Sequence, residues 1–471
     1  MQLSHTRAGM SAVFDDPNLI GCAGLVPVVG LCDRIGLREL AAGWGKVPGG
    51  GRANAGAKVM SLVAGMVAGA DCIDDLDVLR HGGMDKVFHD WRAPATLGQF
   101  LRSFTFGHVR QFDAVASRAL INLAGEVPAL IDRDADFVFL DVDDTVKATY
   151  GAGKQGARVG YTRVKGLNAQ LVVASTASSA PVITATRLRH GAAVSAHGGV
   201  RIITDSIATT RRAGVRAQIL VRGDSGYFQQ ANIAAITKTG AWFSIGARQD
   251  SAVRKAIAAI PEQAWVTIQY PNAIRDPDTG ELISQAQVAE TPYTAFTSKP
   301  KSKQVTARLI VRRVPERNTQ KIQAAGQQGL FEVWRYHAVF TDNPAPLVTA
   351  EKTHRAHAIV ENVIADLKAS ALAALPCTSH PANAAWLVAA AIAFNITRAI
   401  GITAGGQFTK AETATVRSKI IKTPARVSHS ARRQRLHLPT RWPWATPWLN
   451  PWTAALTVAP AVCPVRPRPK D

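Results

Sequence analysis

Three carboxylates stand at the end of one apolar run: Phe137-Val-Phe-Leu-Asp-Val-Asp-Asp-Thr145 carries Asp141, Asp143 and Asp144. Apolar residues followed by alternation predict a buried strand whose last side chains are acids. Burying a carboxylate costs free energy unless a cation shares the site. Taken alone, the segment therefore reads either as part of a metal site or as a polar strand end, and acids elsewhere in the chain bear on the choice. Ala217-Gln-Ile-Leu-Val-Arg-Gly-Asp-Ser-Gly226 is a second apolar strand ending in an acid, Asp224. In the stretch His354 to Lys368, Ile359, Val363 and Leu367 form the apolar seam of a helix. Glu361 and Lys368 lie two turns apart on one face of it, with His354 and His357 just before them.

Asp143, Asp224 and Glu361 make a set of two acids at strand ends and one on a later helix. Such a set suits phosphodiester chemistry, which needs charge neutralised and an in-line nucleophile held. Two divalent ions can do both. Hard ions such as Mg²⁺, with Mn²⁺ as a substitute, take carboxylate oxygens and keep waters, so three acids can suffice. Asp141, Asp144, Asp205 and Asp366 read as local polar groups. Gly151-Ala-Gly-Lys-Gln-Gly156 is not a phosphate-binding P-loop, because the Gly-x-x-x-x-Gly-Lys-Ser/Thr spacing is missing.

The elements that must hold these residues divide the chain into five parts. Residues 1–130 carry helical periodicity, with Gly-rich breaks at 47–51 and 81–83. Ala93 to His108 opens with Pro94 near a first helical turn and sets Leu97, Phe100, Leu101 and Phe104 on one side. This part reads as a helical DNA-end-binding domain; a helix-turn-helix within Lys58–Arg110 and an ordinary bundle are both open. Residues 131–249 change to strand and helix. The opening strand, then Val159–Lys165 and Gln170–Ser175, are antiparallel partners, followed by a helix near Val200–Ala213, the Asp224 strand, a helix over Tyr227–Thr237 and a strand over Ala241–Ile245. That order is the order of a ribonuclease-H-like α/β core. Residues 250–330, with alternating pieces at Trp265–Tyr270 and Val305–Arg313 and polar loops at 275–280 and 318–328, suit an inserted β-rich subdomain. Residues 331–408 resume the core with a strand up to Thr341, the glutamate helix, and a packed apolar helix over Ala382–Ile396. Residues 409–471 form a basic Trp/Pro-rich tail in which twelve Lys and Arg face two acids. Its Trp442, Trp444, Trp448 and Trp452 can grip DNA or pack on a neighbour.

At 471 residues the chain exceeds one core, and 47% apolar content makes it globular. A formal net charge of +21 is ordinary for a protein that approaches phosphate backbones, so nucleic acid is the leading partner. The longest uncharged stretch, 369–397, is interrupted by Pro376, His380, Pro381, Asn383 and Asn395 and reads as a buried helix after a loop, so no membrane partner is expected. The N-terminal residues lack the order of a signal peptide. The five scattered cysteines read as reduced thiols of a cytoplasmic protein rather than a zinc site.

Leu140-Asp-Val-Asp-Asp-Thr145, Lys154-Gln-Gly-Ala157, Gly160-Tyr-Thr-Arg-Val-Lys-Gly166, Val221-Arg-Gly-Asp-Ser-Gly-Tyr227, His354-Arg355, Glu361-Asn362 and Leu367-Lys368 together resemble the DDE transposases of bacterial insertion sequences, the thirteen-eighty group in particular. The resemblance runs from Phe14-Asp-Asp-Pro-Asn18 to the arginine-rich tail. It implies a cut-and-paste transposase whose ribonuclease-H-like core is interrupted by a β-strand insertion before the glutamate helix. By position the first acid falls on Asp143, two residues before Thr145, with Asp141 its nearest rival; Asp224 matches the second acid and Glu361 the third. Of the Tyr, Arg, Glu and Lys signature along the glutamate helix, Glu361 and Lys368 are kept. His357 stands where Arg is expected and His354 where Tyr is, and Arg355 is the candidate to replace the lost phosphate contact. The implied activity is metal-dependent cleavage at terminal inverted repeats and 3′-hydroxyl strand transfer. A dimer or larger assembly on double-stranded DNA, no nucleotide cofactor and a nucleoid-associated cytoplasmic location are expected. A structure-selective nuclease with the same core, or an inactive DNA-binding regulator, are the alternatives.

Overall fold

The computed structural model describes residues 10–44, 54–151, 153–275, 280, 282–316, 333–431 and 433–456. The Gly-rich break at 47–51, most of the loop at 275–280, the loop at 318–328 and the last fifteen residues lie outside them. The fold is mixed α/β, with one large mixed sheet and many helices.

The N-terminal part opens with a short strand, β1 (Leu19–Ile20). Helices α1 (Leu25–Arg34), α2 (Leu37–Trp44), α3 (Ala55–Ala68), α4 (Met84–Val87), α5 (Pro94–Arg102) and α6 (Phe106–Glu126) follow. Pro94 sits in the first turn of α5, which buries Leu97, Phe100 and Leu101 as its spacing predicts. Thr105 and His108 cap α6 reciprocally, each side chain meeting the other's backbone N–H. Every residue of α3 except Lys58 is buried. A helix wrapped in this way has no face left for a DNA groove, so α3 is a bundle helix.

The large sheet is built from β2 (Phe137–Ala148), β3 (Arg158–Val159), β4 (Lys165–Ser175) and β5 (Val182–His190), then α6-packed α7 (Gly199–Arg212), β6 (Gln218–Gly223), α8 (Gln230–Lys238) and β7 (Trp242–Gly246). β2 pairs antiparallel with β4, and β4 with β5; β2 pairs parallel with β6, and β6 with β7. The third long strand of the antiparallel group is thus β5, while most of Val159–Lys165 is turn. Thr184, Thr186 and Arg189 are buried along β5, so no polar-out alternation announces it. They are tolerated because Thr184 bonds Ser206 at 2.5 Å and Arg189 bonds Asn168 at 2.7 Å.

After α8 and β7 come α9 (Ser251–Ala258), β8 (Val266–Arg275), β9 (Leu282–Ala295), β10 (Val305–Pro315) and β11 (Trp334–Thr341). β11 joins β7 antiparallel, and β10, β9 and β8 continue the same sheet outward as antiparallel neighbours. The stretch expected as one helix over His354–Lys368 is two: α10 (Leu347–Arg355) and α11 (Ile359–Lys368), joined by a 3₁₀ turn at Ala356–Ala358. Its buried seam is Val360, Val363, Ile364 and Leu367.

Helix α12 (His380–Ala404) runs through the core and is longer than the apolar stretch suggests. By length and apolar content it would reach across a membrane, yet 89% of that window is buried inside the fold. Asn395 explains a polar residue at its centre: it accepts from Ile183 N and donates to Ile183 O, both at 2.8 Å, docking the helix on β5. The basic C-terminal segment closes back on the start of the chain. β12 (Ala425–Ser430) pairs with β1 and with β13 (Arg433–His437), and α13 (Ala445–Leu456) packs on α1 and α12 with Trp448 buried. Of the tail's two readings, packing on a neighbour describes Trp448.

Candidate active site

Strand β2 delivers three acids because it alternates: Asp141 and Asp143 share one face and Asp144 takes the other. Their surroundings differ sharply. Asp141 is fully buried and bound bidentately by Arg222 of β6, Nε to Oδ1 at 2.6 Å and Nη2 to Oδ2 at 2.8 Å. The same guanidinium stacks 4.2 Å from the Phe139 ring and donates to the Thr353 carbonyl of α10. Asp144 is bound by Arg189 of β5. Arg189 also donates to Asn168 and to the carbonyls of Val194, Ser195 and His197. Each of these acids therefore has its own arginine.

Asp143 has none. It is half-buried, and its Oδ1 accepts only from the neighbouring Asp144 N–H at 2.7 Å. Burial lifts its pKa to about 7, and the nearby charges of Asp224, Asp144 and Glu361 push the same way. The last rung of the parallel β2–β6 ladder is Val142 with Gly223, and Asp143 and Asp224 are the next residue on each strand. Asp224 begins a one-turn 3₁₀ helix, Ser225–Tyr227, and caps it by accepting from Gly226 N at 3.0 Å. That turn can lie on β7 only because position 246 is glycine, whose Cβ would stand 2.9 Å from Ser225 N. Beneath it, the buried Tyr227 hydroxyl accepts from Gln170 of β4 at 3.1 Å. Burial also raises the pKa of Asp224. Glu361 is exposed in the first turn of α11, which packs on β2 and β4.

Among the described residues, Asp143, Asp224 and Glu361 have no ion-pair partner, in contrast to Asp141 and Asp144. The one set of three His, Cys, Asp or Glu ligand atoms that, among the described residues, all lie within 4.8 Å of one another is Asp71, Cys72 and Asp75, so the strand-end acids are set wider. Three carboxylates whose charges act on one another and none of which is ion-paired suit divalent ions in donor chemistry and in unbalanced charge.

The basic residues expected beside the acids are distributed unevenly. Lys368, in the last turn of α11, is half-buried; burial and Lys147 lower its pKa while Asp143 raises it. His357, in the 3₁₀ turn, bonds the His354 carbonyl at 2.9 Å and is close enough to Asp224 to lower its pKa. His354 points to Ser244 Oγ at 3.0 Å; burial, then His357, Arg222 and Arg312, lower its pKa to about 3, so it is neutral. Arg355 is held by Glu351 at 3.1 Å and stacks 4.6 Å over Tyr270 of the outer sheet. His354, Arg355 and His357 line a cleft of about 450 Å³ with Ser225, Arg248 and Arg312. Arg189 and Arg222, which hold the neighbouring acids, were not visible as site residues in the sequence. Nor was Tyr161, largely exposed, whose phenol pKa is raised by its partial burial and by the charges of Asp144, Asp224 and Asp143; its only signal is its place in the Gly160–Gly166 motif.

Comparison with curated proteins gives no match. The family model described as transposase DDE domain group 1 matches residues 6–457. Over nearly its whole length, then, the chain belongs to the DDE transposase domain family.

Proposed function

We propose that this protein is a DNA transposase that binds the terminal inverted repeats of its element, cuts the DNA at them, and joins the freed 3′-hydroxyls to target DNA. Membership of the DDE family implies a DNA substrate and divalent metal ions. The observation that carries the finer reading is the contrast among five acids: among the described residues Asp143, Asp224 and Glu361 have no ion-pair partner, while Asp141 and Asp144 each have an arginine. The strand order β5-β4-β2-β6-β7, three antiparallel and two parallel, supports a ribonuclease-H-like core. The net charge of +21 supports a DNA partner.

Asp143, Asp224 and Glu361 would hold the divalent ions, with Mg²⁺ favoured by their oxygen donors. Held by these acids, divalent ions would supply activation of water or a 3′-hydroxyl and offset charge on the scissile phosphate. Asp143 is fixed by a strand paired on both sides, and Asp224 by the turn it caps. Lys368 adds a cation beside Asp143 for a DNA phosphate, and His357 one beside Asp224 when protonated. His354 and Arg355 shape the adjoining cleft. Synapsis of two ends requires a dimer or larger assembly on DNA, a cytoplasmic nucleoid event. The test is incubation of the purified protein with Mg²⁺ and a duplex carrying an element end: nicking followed by strand-transfer products is expected. Nicking without transfer favours a nuclease, and binding without nicking a regulator.

A further inference from the structure

Away from the acids, between α6, α7 and β5, lies a cavity of about 270 Å³. Five arginines line it: Arg110 and Arg118 of α6, Arg187 of β5, and Arg201 and Arg212 of α7. Two carboxylates, Asp113 and Asp205, line it with them. Asp113 is bound by Arg110 at 2.7 Å, and Asp205 by Arg110 at 3.1 Å and by Arg201 at 3.7 Å. Arg187 and Arg212 have no ion-pair partner among the described residues; the half-buried Arg187 makes a long hydrogen bond, 3.4 Å, to the Gly198 carbonyl. Arg110 Nε is buried and without an acceptor. Burial lowers the pKa of Arg187, with Arg110 adding to it and Asp113 and Asp205 opposing it, and burial lowers that of Arg118, with Arg212 adding to it. Guanidinium groups are thus crowded against one another around open space, an arrangement that costs free energy in the empty protein and is offset by an anion.

We propose that this cavity is a phosphate-binding site distinct from the cluster of acids. Arginine forks match phosphate oxygens two at a time, and a lining with more guanidinium groups than carboxylates suits a phosphate better than a carboxylate. The volume falls just below that of ordinary small-molecule pockets, enough for a phosphate or pyrophosphate group with water. Arg201 and Asp205, both largely exposed, form its mouth, so a phosphate carried on a chain can also enter. Arg187 is in register with Gln170, itself in register with Asp144, which puts the cavity two strands over from the acids, with β4 between. The phosphate is either free or a diester of bound DNA; the second source rests on the DNA-transposase reading, the first does not.

The test uses the full chain, wild type against Arg187→Gln, Arg212→Gln and the double variant, with Arg187→Lys as the conservative control. Thermal unfolding is followed with phosphate and pyrophosphate at constant ionic strength, and duplex binding by anisotropy across a salt series. If free phosphate is the occupant, pyrophosphate raises the wild-type Tm by several degrees and the double variant loses that rise. If DNA is the occupant, the double variant binds duplex at least about fivefold more weakly, with a salt slope smaller by about one to two. In either case the variants without ligand are as stable as wild type or more so, whereas arginines of merely structural role would leave them less stable. Exposed Arg212→Gln alone carries the same ligand comparisons, and an Arg187→Gln that fails to fold counts against the site. A protein that binds no DNA leaves the phosphate arm intact, so the two readings fail separately. Equal responses of wild type and variants to both ligands would overturn the site.

Discussion

Asp143 and Asp224 occupy corresponding positions on two parallel neighbours, each one residue past the Val142–Gly223 rung that ends their ladder. Parallel pairing fixes their separation through the backbone, so neither acid depends on a flexible stem for its place. Asp143→Asn and Asp224→Asn should each lower cleavage of an end-bearing duplex by about 10²- to 10³-fold or more, the scale of losing one preorganised electrostatic group. Duplex affinity in the same preparations should stay within about threefold of wild type, since neither acid attracts phosphate. Cleavage rates and gel-shift affinities check this.

Asp141 and Arg222 should behave as a structural pair. Arg222→Met leaves a buried, unpaired carboxylate and should cost about 3–5 kcal/mol of stability. Adding Asp141→Leu should recover much of that loss, because the remaining charge goes with it. A urea-unfolding double-mutant cycle measures the coupling. Arg222 also donates to Thr353 on α10, just ahead of the glutamate helix, so surviving Arg222→Met protein should show reduced kcat with duplex affinity kept.

The site should also set a pH dependence. The folded-state pKa of Asp143, raised from 3.8 to about 7, means that the folded protein binds this proton more tightly than the unfolded chain does. Its contribution disfavours folding fully above about pH 7 and vanishes below about pH 4, so metal-free protein should gain stability as pH falls through that window. Asp113, raised to about 7, and Asp342, raised to about 6, act in the same direction. Asp143→Asn should stabilise the metal-free protein by up to about 4 kcal/mol at pH 8 and by nearly nothing at pH 4. Divalent-ion affinity should fall as pH drops below about 7, where the proton competes for Asp143.

Lys368 and His354 should separate cleanly in salt titrations. Lys368→Ala should reduce the slope of log affinity for duplex against log salt by about one. His354→Gln should leave the slope unchanged between pH 6 and 8, because the imidazole is held neutral and bonded to Ser244. Anisotropy across a salt series distinguishes them.

What the residue pattern made legible follows from how local each feature is. β2 and β6 were readable because each is an apolar run ending in an acid, and α10–α11 because its seam repeats every turn. The break at Ala356–Ala358 was not, since its residues suit an α-helix equally well. β5 escaped because its buried Thr and Arg side chains are satisfied by partners on other elements. The rivalry between Asp141 and Asp143 has the same root: Arg222 is 81 residues from Asp141 and Arg189 is 45 from Asp144, so no local pattern says which acids are neutralised. The pairing of β1 with β12, across some four hundred residues, is invisible for the same reason.

The most direct test of the account is Mn²⁺ binding to the DNA-free protein at pH 8, followed by electron paramagnetic resonance for wild type and five single variants. Asp143→Asn, Asp224→Asn and Glu361→Gln should each weaken binding by about tenfold or more. Asp141→Asn and Asp144→Asn should lower thermal stability and leave the Mn²⁺ affinity of the folded fraction near wild type. Unchanged Mn²⁺ affinity in all three of the first group, or its loss in Asp141→Asn alone, would contradict the assignment of the metal-binding acids.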